Sequence, residues 1–239
     1  MTTGVWSGAG ALVDLSIPIR TAMPVFPGDP QVRLAPATTI TQDGYNVMSV
    51  QMGSQTGTHV DAPYHFEPDG ARLEEVPLDQ FWGTALVHDV RHVAAGEPIL
   101  DHHLADDTST AEPVTVALLW TSWTDRHWGT PEALRHPYLD PAAAQLLLHR
   151  GVTMVGIDAL SVDPSGHGYC TEAHHVLLGA GAVIVENLVN LGALGVGTAT
   201  FWALPLPLVD ADGAPVRAVA LPHERPGSAD AAADTGGPP

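Results

Sequence analysis

Four side chains that can bind a metal ion or carry a proton share the odd-numbered positions of one short segment, residues 55–65 (QTGTHVDAPYH). They are Gln55, His59, Asp61 and His65. In an extended chain the odd positions share a face, and side chains two residues apart lie roughly 6–7 Å from each other. If the glycine and the proline of the segment bend it, we expect Gln55, His59 and Asp61 to converge on one ion, with His65 at the rim. The alternative is an exposed polar strand face whose side chains are simply solvated.

Further candidate ligands lie in the segments 172–178 (EAHHVLL) and 183–188 (VIVENL). Glu186 follows an apolar strand, where a buried carboxylate needs a partner, and a metal ion would supply one. The alternative for Glu186 is a strand-end carboxylate in water. His174 and His175 are adjacent on a predicted helix and point about 100° apart, so both cannot face one ion.

Other side chains give weaker signals. The lone Cys170 fits an inert small hydrophobe better than a nucleophile. Arg217 fits a structural ion pair better than a contact to a substrate carboxylate. Two sets stay open: Trp120, Trp123 and Trp128 form either core packing or an aromatic wall over a planar substrate, and Asp158, Ser161 and Asp163 serve either turns and caps or support of the site.

The charge of the chain excludes two classes of partner. Its 239 residues include 27 Asp+Glu against nine Lys+Arg, and the net charge is −18. Nucleic acids and anionic membrane surfaces are polyanions that reward clustered cations, so we expect neither as a partner. A single cysteine, no recognisable signal peptide and no apolar run near the roughly 18–20 residues of a spanning helix predict a cytoplasmic protein.

Local structure signals predict an α/β fold with much antiparallel pairing. Strands are expected at 12–15, 46–52, 85–89, 114–120, 152–157 and 182–185, and the two prolines and the glycine within 26–30 predict a tight turn. One helix is expected to begin at Pro141 after an Asp140 cap, and a second one after a Thr171 cap. Residues 201–209 and 216–221 are expected to pair as a hairpin.

No linker-like block divides the chain, which predicts a single domain over residues 1–222. Residues 223–239 contain no bulky apolar side chain, so nothing there can offset the entropy of ordering the segment. A disordered C-terminal tail is therefore expected.

Taken with its distant partners, segment 55–65 resembles the HxGTHxDxPxH signature of the metal-dependent cyclase-like hydrolases, a family that includes bacterial kynurenine formamidase and isatin hydrolase. Similar landmarks occur in the family's order at residues 13–16, 27–30, 136–139, 156–163 and 213–217. The resemblance implies a strand-rich, swivelling β/β/α fold with a mixed sheet. It also implies a small-molecule substrate and assembly into homodimers or tetramers.

By the same resemblance, His59 and Asp61 match ligands of a first metal site. His174 and Glu186 match ligands that complete a second site or a shared one, and His65 matches a proton-transfer histidine. The implied cofactor is a divalent metal, Zn²⁺ or Mn²⁺, at one or two ions per chain.

Gln55 departs from the family signature, which has a histidine at this position. A carboxamide oxygen is a neutral and harder ligand than an imidazole nitrogen. The change therefore favours oxygen-binding ions such as Mn²⁺, or leaves one of two metal positions poorly filled. The alternative is a structural glutamine that points away from the metal.

The candidate ligands and the resemblance together predict a metal-dependent amidohydrolase. Its substrate would be a small C–N amide, either an arylformamide such as N-formylkynurenine or a cyclic amide. A bound divalent ion lowers the pKa of water to about 7, and His65 would carry the proton to the leaving nitrogen. Two alternatives remain: a metal-dependent cyclase or lactone-handling enzyme of polyketide or other secondary metabolism, and a non-catalytic protein that binds a metal or a small molecule.

Overall fold

The structure is a computed structural model, and it describes residues 11–105, 113–165 and 170–223. The predicted tail at 223–239 lies outside these ranges apart from His223. Within them, no helix combines the length and the apolar character that crossing a membrane requires.

Short strands make up most of the regular structure. They are β1 Val13–Asp14, β2 Arg33–Thr38, β3 Val47–Gln51, β4 His59–Asp61, β5 Trp82–Asp89, β6 Pro98–Ile99, β7 Val116–Trp120, β8 Tyr138–Leu139, β9 Met154–Ile157, β10 Val183–Glu186, β11 Thr198–Trp202, β12 Gly213–Pro215 and β13 Val219–Pro222.

The helices are short, and several are single turns. The α-helices are α1 Ile40–Asp43, α2 Trp123–His127, α3 Pro141–His149 and α4 Glu172–Gly179. The 3₁₀ turns are Pro63–His65, Leu73–Glu75, Leu78–Phe81, Asp101–His103, Pro131–Arg135 and Leu191–Ala193. The helix predicted at Pro141 is confirmed with its cap, since the Asp140 side chain accepts a hydrogen bond from the Ala142 backbone N–H at 2.9 Å.

Nine of the described strands form one mixed sheet, in the order β1-β13-β11-β5-β7-β9-β10-β4-β12. The four central strands β5, β7, β9 and β10 are parallel, and every other pairing within this sheet is antiparallel. The predicted mixed, strand-rich α/β class is confirmed. The two edge strands, β1 and β12, come from near the two ends of the described chain.

The two faces of the sheet bury separate apolar clusters. Along β7, Val116 and Leu118 pack on one face, while Ala117 and Leu119 pack on the other face against α3 and α4. This alternation follows from the two-residue period of a strand. Because both faces of the central strands are covered, β7, β9 and β10 consist of buried residues throughout.

The predicted hairpin of residues 201–209 and 216–221 is partly correct. β11 pairs with β13, and Pro205 forms an isolated antiparallel bridge with Val216. Between these pairings the chain reaches the opposite edge of the sheet, where β12 pairs with β4. The prolines at 205 and 207 cannot donate to a strand ladder, which explains why β11 ends before them. The predicted strand at 46–52 is present as β3. It pairs with β2 in a separate two-stranded ribbon and ends before residues 55–65.

The bends expected within residues 55–65 are both present. Gly57 has a φ of +64°, in the left-handed region, and Pro63 begins a 3₁₀ turn that includes His65. Only His59–Asp61 is strand, so Gln55 and His65 lie in the flanking bends.

Candidate metal centre

The cluster of candidate ligands begins on two neighbouring antiparallel strands, β4 and β10. His59 lies opposite Glu186 in this pairing, and Asp61 follows two residues after His59 on the same face. One ligand atom from each of these buried side chains lies within 4.8 Å of the other two. His59 Nε2 is 3.6 Å from Asp61 Oδ1 and 3.5 Å from Glu186 Oε2. The sheet register thus brings two distant parts of the sequence to one buried point.

His174 reaches the same point from the first turn of α4. Its Nε2 atom lies 3.8 Å from Asp61 Oδ2 and 3.5 Å from Glu186 Oε1. The other ring nitrogen, Nδ1, donates to Asp163 Oδ2 at 2.7 Å. This contact leaves Nε2 of the neutral ring free to bind a metal ion.

Asp163 also begins helix α4. Its two carboxylate oxygens accept hydrogen bonds from the backbone N–H groups of Ala173 and His174, each at 2.9 Å. Thr171, the predicted cap, precedes the helix but makes no side-chain capping bond. A carboxylate carries a full negative charge towards the positive end of the helix, so it can replace the hydroxyl in this role. One side chain therefore fixes both the start of α4 and the orientation of the His174 ring.

His175 points away from the cluster. Its Nδ1 atom lies 2.9 Å from Glu67 Oε1, and its side chain is 54% exposed. The Phe66 ring packs 4.4 Å from the His174 ring and 5.5 Å from the His175 ring. Of the two adjacent histidines, the fold brings His174 to the candidate ligands.

The spacing of the cluster suits a shared cation. Asp61 is 1% exposed, and neither of its oxygens has a hydrogen-bond partner among the described residues. Such a buried carboxylate is costly unless a cation or a donor compensates it. The four nitrogen-to-oxygen distances given above run from 3.5 to 3.8 Å. Ligand atoms around a tetrahedral ion with bonds of about 2.0–2.2 Å lie roughly 3.3–3.6 Å apart.

The charges at the cluster also favour a cation. Burial by itself would lower the pKa of His59, but Asp61 and Glu186 beside the ring raise it to about 9. Burial would likewise lower the pKa of His174, but Asp163, Asp61 and Glu186 raise it to about 10. The carboxylates thus stabilise a positive charge placed between them. A divalent ion bound there would displace protons from the imidazoles.

Gln55 and His65 form a second group at the rim, together with Asp212. Gln55 Nε2 donates to Asp212 Oδ2 at 2.8 Å, and His65 Nδ1 lies 3.0 Å from the same oxygen. The side chains of His65 and Asp212 are 26% and 34% exposed. Asp212 was not among the predicted site residues, because the sequence predicts only a hairpin turn at 210–213. The sequence feature that points to Asp212 is its position directly before the family landmark at residues 213–217.

A cavity of about 290 Å³ opens onto both groups, a size that suits a small ligand. His59, His174 and Glu186 line it together with Gln55 and His65. The apolar part of its wall comes from Pro24, Val25, Phe26, Phe66, Trp128 and Leu160. The predicted turn at 26–30 is present, since the Asp29 N–H donates to the Phe26 carbonyl at 3.0 Å, and it also lines the cavity.

The other aromatic candidates lie elsewhere. Trp128 lines the cavity, whereas Trp120 and Trp123 do not. The Arg91 guanidinium stacks 3.6 Å from the ring centre of Trp120. Trp123 Nε1 donates to the Glu132 carbonyl at 3.1 Å. These contacts fit the packing alternative for both tryptophans.

Most of the remaining candidates make structural contacts or lie outside the cavity lining. Arg217 forms a bidentate ion pair with Asp14, with hydrogen bonds of 2.8 and 2.6 Å. This contact agrees with the structural ion pair expected from the sequence. Buried Asp158 accepts hydrogen bonds from the backbone N–H groups that follow β7, at 2.6 and 2.8 Å. Ser161 lines the cavity, whereas Cys170 is partly buried and is not part of the lining.

The chain belongs to the cyclase family: the family model described as "Putative cyclase" matches residues 13–164. Its relatives include kynurenine formamidases and isatin hydrolases, so the family membership predicted from the sequence is confirmed. The predicted enzyme class, a cyclase-family metal-dependent hydrolase, is confirmed at this level.

Two relatives and two solved structures illustrate this similarity. The kynurenine formamidase of Geobacillus thermodenitrificans is 38% identical over 208 residues, which are 86% of this chain and 95% of that protein. The kynurenine formamidase of Bacillus cereus is 34% identical over 225 residues, 93% of this chain and 100% of that protein.

Isatin hydrolase A from Labrenzia aggregata superposes with a TM-score of 0.80 at 25% identity, covering 91% of this chain and 96% of that one. A structure described as a "Potential Metal-Dependent Hydrolase With Cyclase Activity" gives a TM-score of 0.72 at 30% identity. It covers 91% of this chain and 100% of that chain. The predicted cyclase-like fold is thereby confirmed.

Proposed function

We propose that this protein hydrolyses the C–N bond of a small amide, with Zn²⁺ or Mn²⁺ as cofactor. The proposed substrates are arylformamides resembling N-formylkynurenine and cyclic amides resembling isatin. Relatives named for these two activities align over most of the chain, which supports both substrate types.

The observation that carries the proposal is the Asp61 carboxylate, which is buried without a hydrogen-bond partner among the described residues. It is buried between two imidazoles whose Nδ1 atoms are already engaged, so their Nε2 atoms are left for a cation. We assign His59, Asp61, His174 and Glu186 as the residues that hold the metal, with Gln55 as a further ligand. A divalent ion bound there supplies a Lewis acid and lowers the pKa of a bound water to about 7.

His65 is the proposed proton carrier. Its Nδ1 atom faces the Asp212 carboxylate at 3.0 Å, which leaves Nε2 of the neutral ring able to accept a proton. His65 lines the same cavity as the metal-binding side chains. It would take a proton from the attacking water and pass it to the leaving nitrogen.

The cavity wall supports an aromatic substrate. Phe26, Phe66 and Trp128 contribute aromatic surface to the lining, and Phe66 packs against the rings of His65 and His174. A flat ring bound against them would gain apolar contact while its amide carbonyl faced the metal-binding side chains.

Paired histidine variants test this proposal. The chain is loaded with Mn²⁺ or Zn²⁺ and assayed for hydrolysis of N-formylkynurenine and of isatin, with chelator-treated protein as the blank. We expect chelator-sensitive hydrolysis of at least one substrate. His174→Ala should lose this activity and its metal, whereas His175→Ala, a change at the adjacent exposed residue, should keep both. Absence of hydrolysis with either metal, or equal behaviour of the two variants, would contradict the proposal.

A metal-dependent cyclase activity is the second candidate, because the family takes its name from it and one solved relative is described as having it. Ring closure releases water and ring opening consumes it, so identification of the products separates the two. The cytoplasmic location, the homo-oligomeric assembly and the single domain over residues 1–222 stay predictions.

A further inference from the structure

Asp212 lies on a loop that is held tightly against strand β4. β12 begins at the next residue, and Gly213 is opposite Asp61 in the pairing of β12 with β4. The Ala62 N–H donates to the Asp212 carbonyl at 2.9 Å. A Cβ atom on Gly213 would lie 2.3 Å from the Val60 carbonyl oxygen, so this approach requires a glycine. The position of Asp212 is therefore set by the sheet, although its side chain lies outside it.

One oxygen of Asp212 contacts two functional side chains at once. Oδ2 is 2.8 Å from Gln55 Nε2 and 3.0 Å from His65 Nδ1. Both contacts point a hydrogen-bond donor at this oxygen, which is the arrangement of an ionised carboxylate, because that group can only accept hydrogen bonds.

This contact determines which way the Gln55 carboxamide faces. An ionised oxygen accepts from the NH₂ end of the amide and repels the oxygen end, so Oε1 is turned away from Asp212. Oε1 is buried and has no hydrogen-bond partner among the described residues. The amide oxygen is thus left for a cation in the cavity that Gln55 lines together with His59.

The same contact determines the tautomer of His65. A carboxylate oxygen at Nδ1 keeps the proton of the neutral ring on that nitrogen. Nε2 is then the nitrogen that can accept a proton. With no acceptor at Nδ1, the ring would distribute its proton between the two nitrogens and could turn.

We propose that Asp212 is a positioning residue that orients two side chains of the site at the same time. It orients Gln55 so that Oε1 is a metal ligand, and it holds His65 in the tautomer that can accept a proton at Nε2. This inference rests on the proposed function, because both roles matter only if a metal and a proton carrier act on one substrate.

Two aspartates of the same loop allow a matched test. Asp212→Asn keeps the size of the side chain but presents an amide that can donate as well as accept. Asp210→Asn is the control, because Asp210 lies two residues away, is 79% exposed and pairs with Arg72 at 3.2 Å. Mn²⁺ affinity is measured by competition with a chelator. Asp212→Asn should lose about 10-fold or more, as for other residues that orient a metal ligand, and Asp210→Asn should match the wild type.

The second readout is the tautomer of His65 in the metal-free protein, from ¹⁵N chemical shifts, with His65→Ala to assign its signals. The wild type and Asp210→Asn should show the proton on Nδ1, and Asp212→Asn should show a mixture. Asp212→Glu retains the carboxylate and should recover part of both effects. If Asp212→Asn does not fold, Asp212→Glu carries the test, with a smaller shift in both readouts.

The outcomes separate this inference from the proposed function. A wild type that binds no metal and hydrolyses no amide overturns the proposed function. A wild type that does both, with unchanged Mn²⁺ affinity and His65 tautomer in the Asp212 variants, overturns the role of Asp212 alone.

Discussion

The two halves of the candidate site differ in burial and in what holds them. The cluster of His59, Asp61, His174 and Glu186 has side chains only 1–7% exposed, and it is fixed by strand register and by the start of a helix. The rim group of Gln55, His65 and Asp212 lies in bends and a loop, and two of its side chains are 26% and 34% exposed.

This difference indicates that the buried cluster and the rim group have separate roles. Buried charges that compensate each other in pairs are suited to holding an ion, because water cannot compete for their ligand atoms. Partly exposed groups are suited to exchanging protons with substrate and solvent. Changes in the cluster should therefore remove the metal, whereas His65 can be changed with loss of rate alone.

The largest effect is expected from Asp61→Asn, which removes one carboxylate from the centre of the cluster. Asp61 contacts both imidazoles, so metal affinity should fall by more than the roughly 10–100-fold seen for outer residues of metal sites, and hydrolysis should disappear. Competition with a chelator measures the metal affinity, and the amide assay measures the hydrolysis. Stoichiometric, tightly bound metal in this variant would contradict the assignment of the cluster.

His65→Ala should distinguish the role of the rim group from that of the buried cluster most clearly. The metal content should match that of the wild type, while kcat falls about 10²- to 10⁴-fold, the usual range for a positioned acid–base group. Elemental analysis and steady-state kinetics measure the two quantities on one preparation. Turnover near the wild-type rate would end the proposed role of His65.

Asp163→Asn should have a smaller effect on the metal. The ring of His174 loses its anionic acceptor at Nδ1 but keeps its place on α4, so affinity should fall by about 10- to 100-fold. Asp158→Asn is a fitting control, because Asp158 is also a buried acceptor of backbone N–H groups but is not part of the cavity lining. Equal metal affinities in the two variants would show that the Asp163 contact does not orient the ligand.

The smallest effect is expected from Arg217→Ala, which lies outside both halves. The pair with Asp14 is exposed, so its loss should lower the free energy of unfolding by about 0–1 kcal/mol at neutral pH, with KM and metal content unchanged. Burial alone would raise the pKa of Asp14, but the hydrogen bonds from Arg217 lower it. The contribution is therefore present above the ordinary carboxyl pKa of 3.8 and is lost as the pH falls through the lowered value.

Denaturant unfolding of wild type and Arg217→Ala at pH 7 and at successively lower pH measures this difference. A stability difference that grows on acidification would contradict the ion pair with Asp14, and a raised KM would support contact of Arg217 with the substrate.

The parts of the fold that the sequence predicts well are those with local causes. Helix α3 follows from the cap at Asp140 and the proline after it, and the buried central strands follow from apolar runs. The path of residues 203–218 could not be predicted, because β12 pairs with β4 through contacts more than 140 residues apart in the chain. Sequence alone has no signal for a pairing of that separation.

The same distinction between local and long-range causes explains which site residues could be predicted from the sequence. Gln55, His59, Asp61 and His65 lie in one segment, so their types and spacing were visible. Asp212 contacts two of them from 157 and 147 residues away and was missed. Asp163 showed only a turn or support role in the sequence, because its contact with His174 depends on where α4 begins.

Elemental analysis of the untagged protein after reconstitution with Zn²⁺ or Mn²⁺ tests the metal centre most directly. We predict at least one ion per chain in the wild type, lost in Asp61→Asn and kept in His65→Ala. No stoichiometric metal under any condition would contradict the metal centre, and with it the proposed hydrolysis.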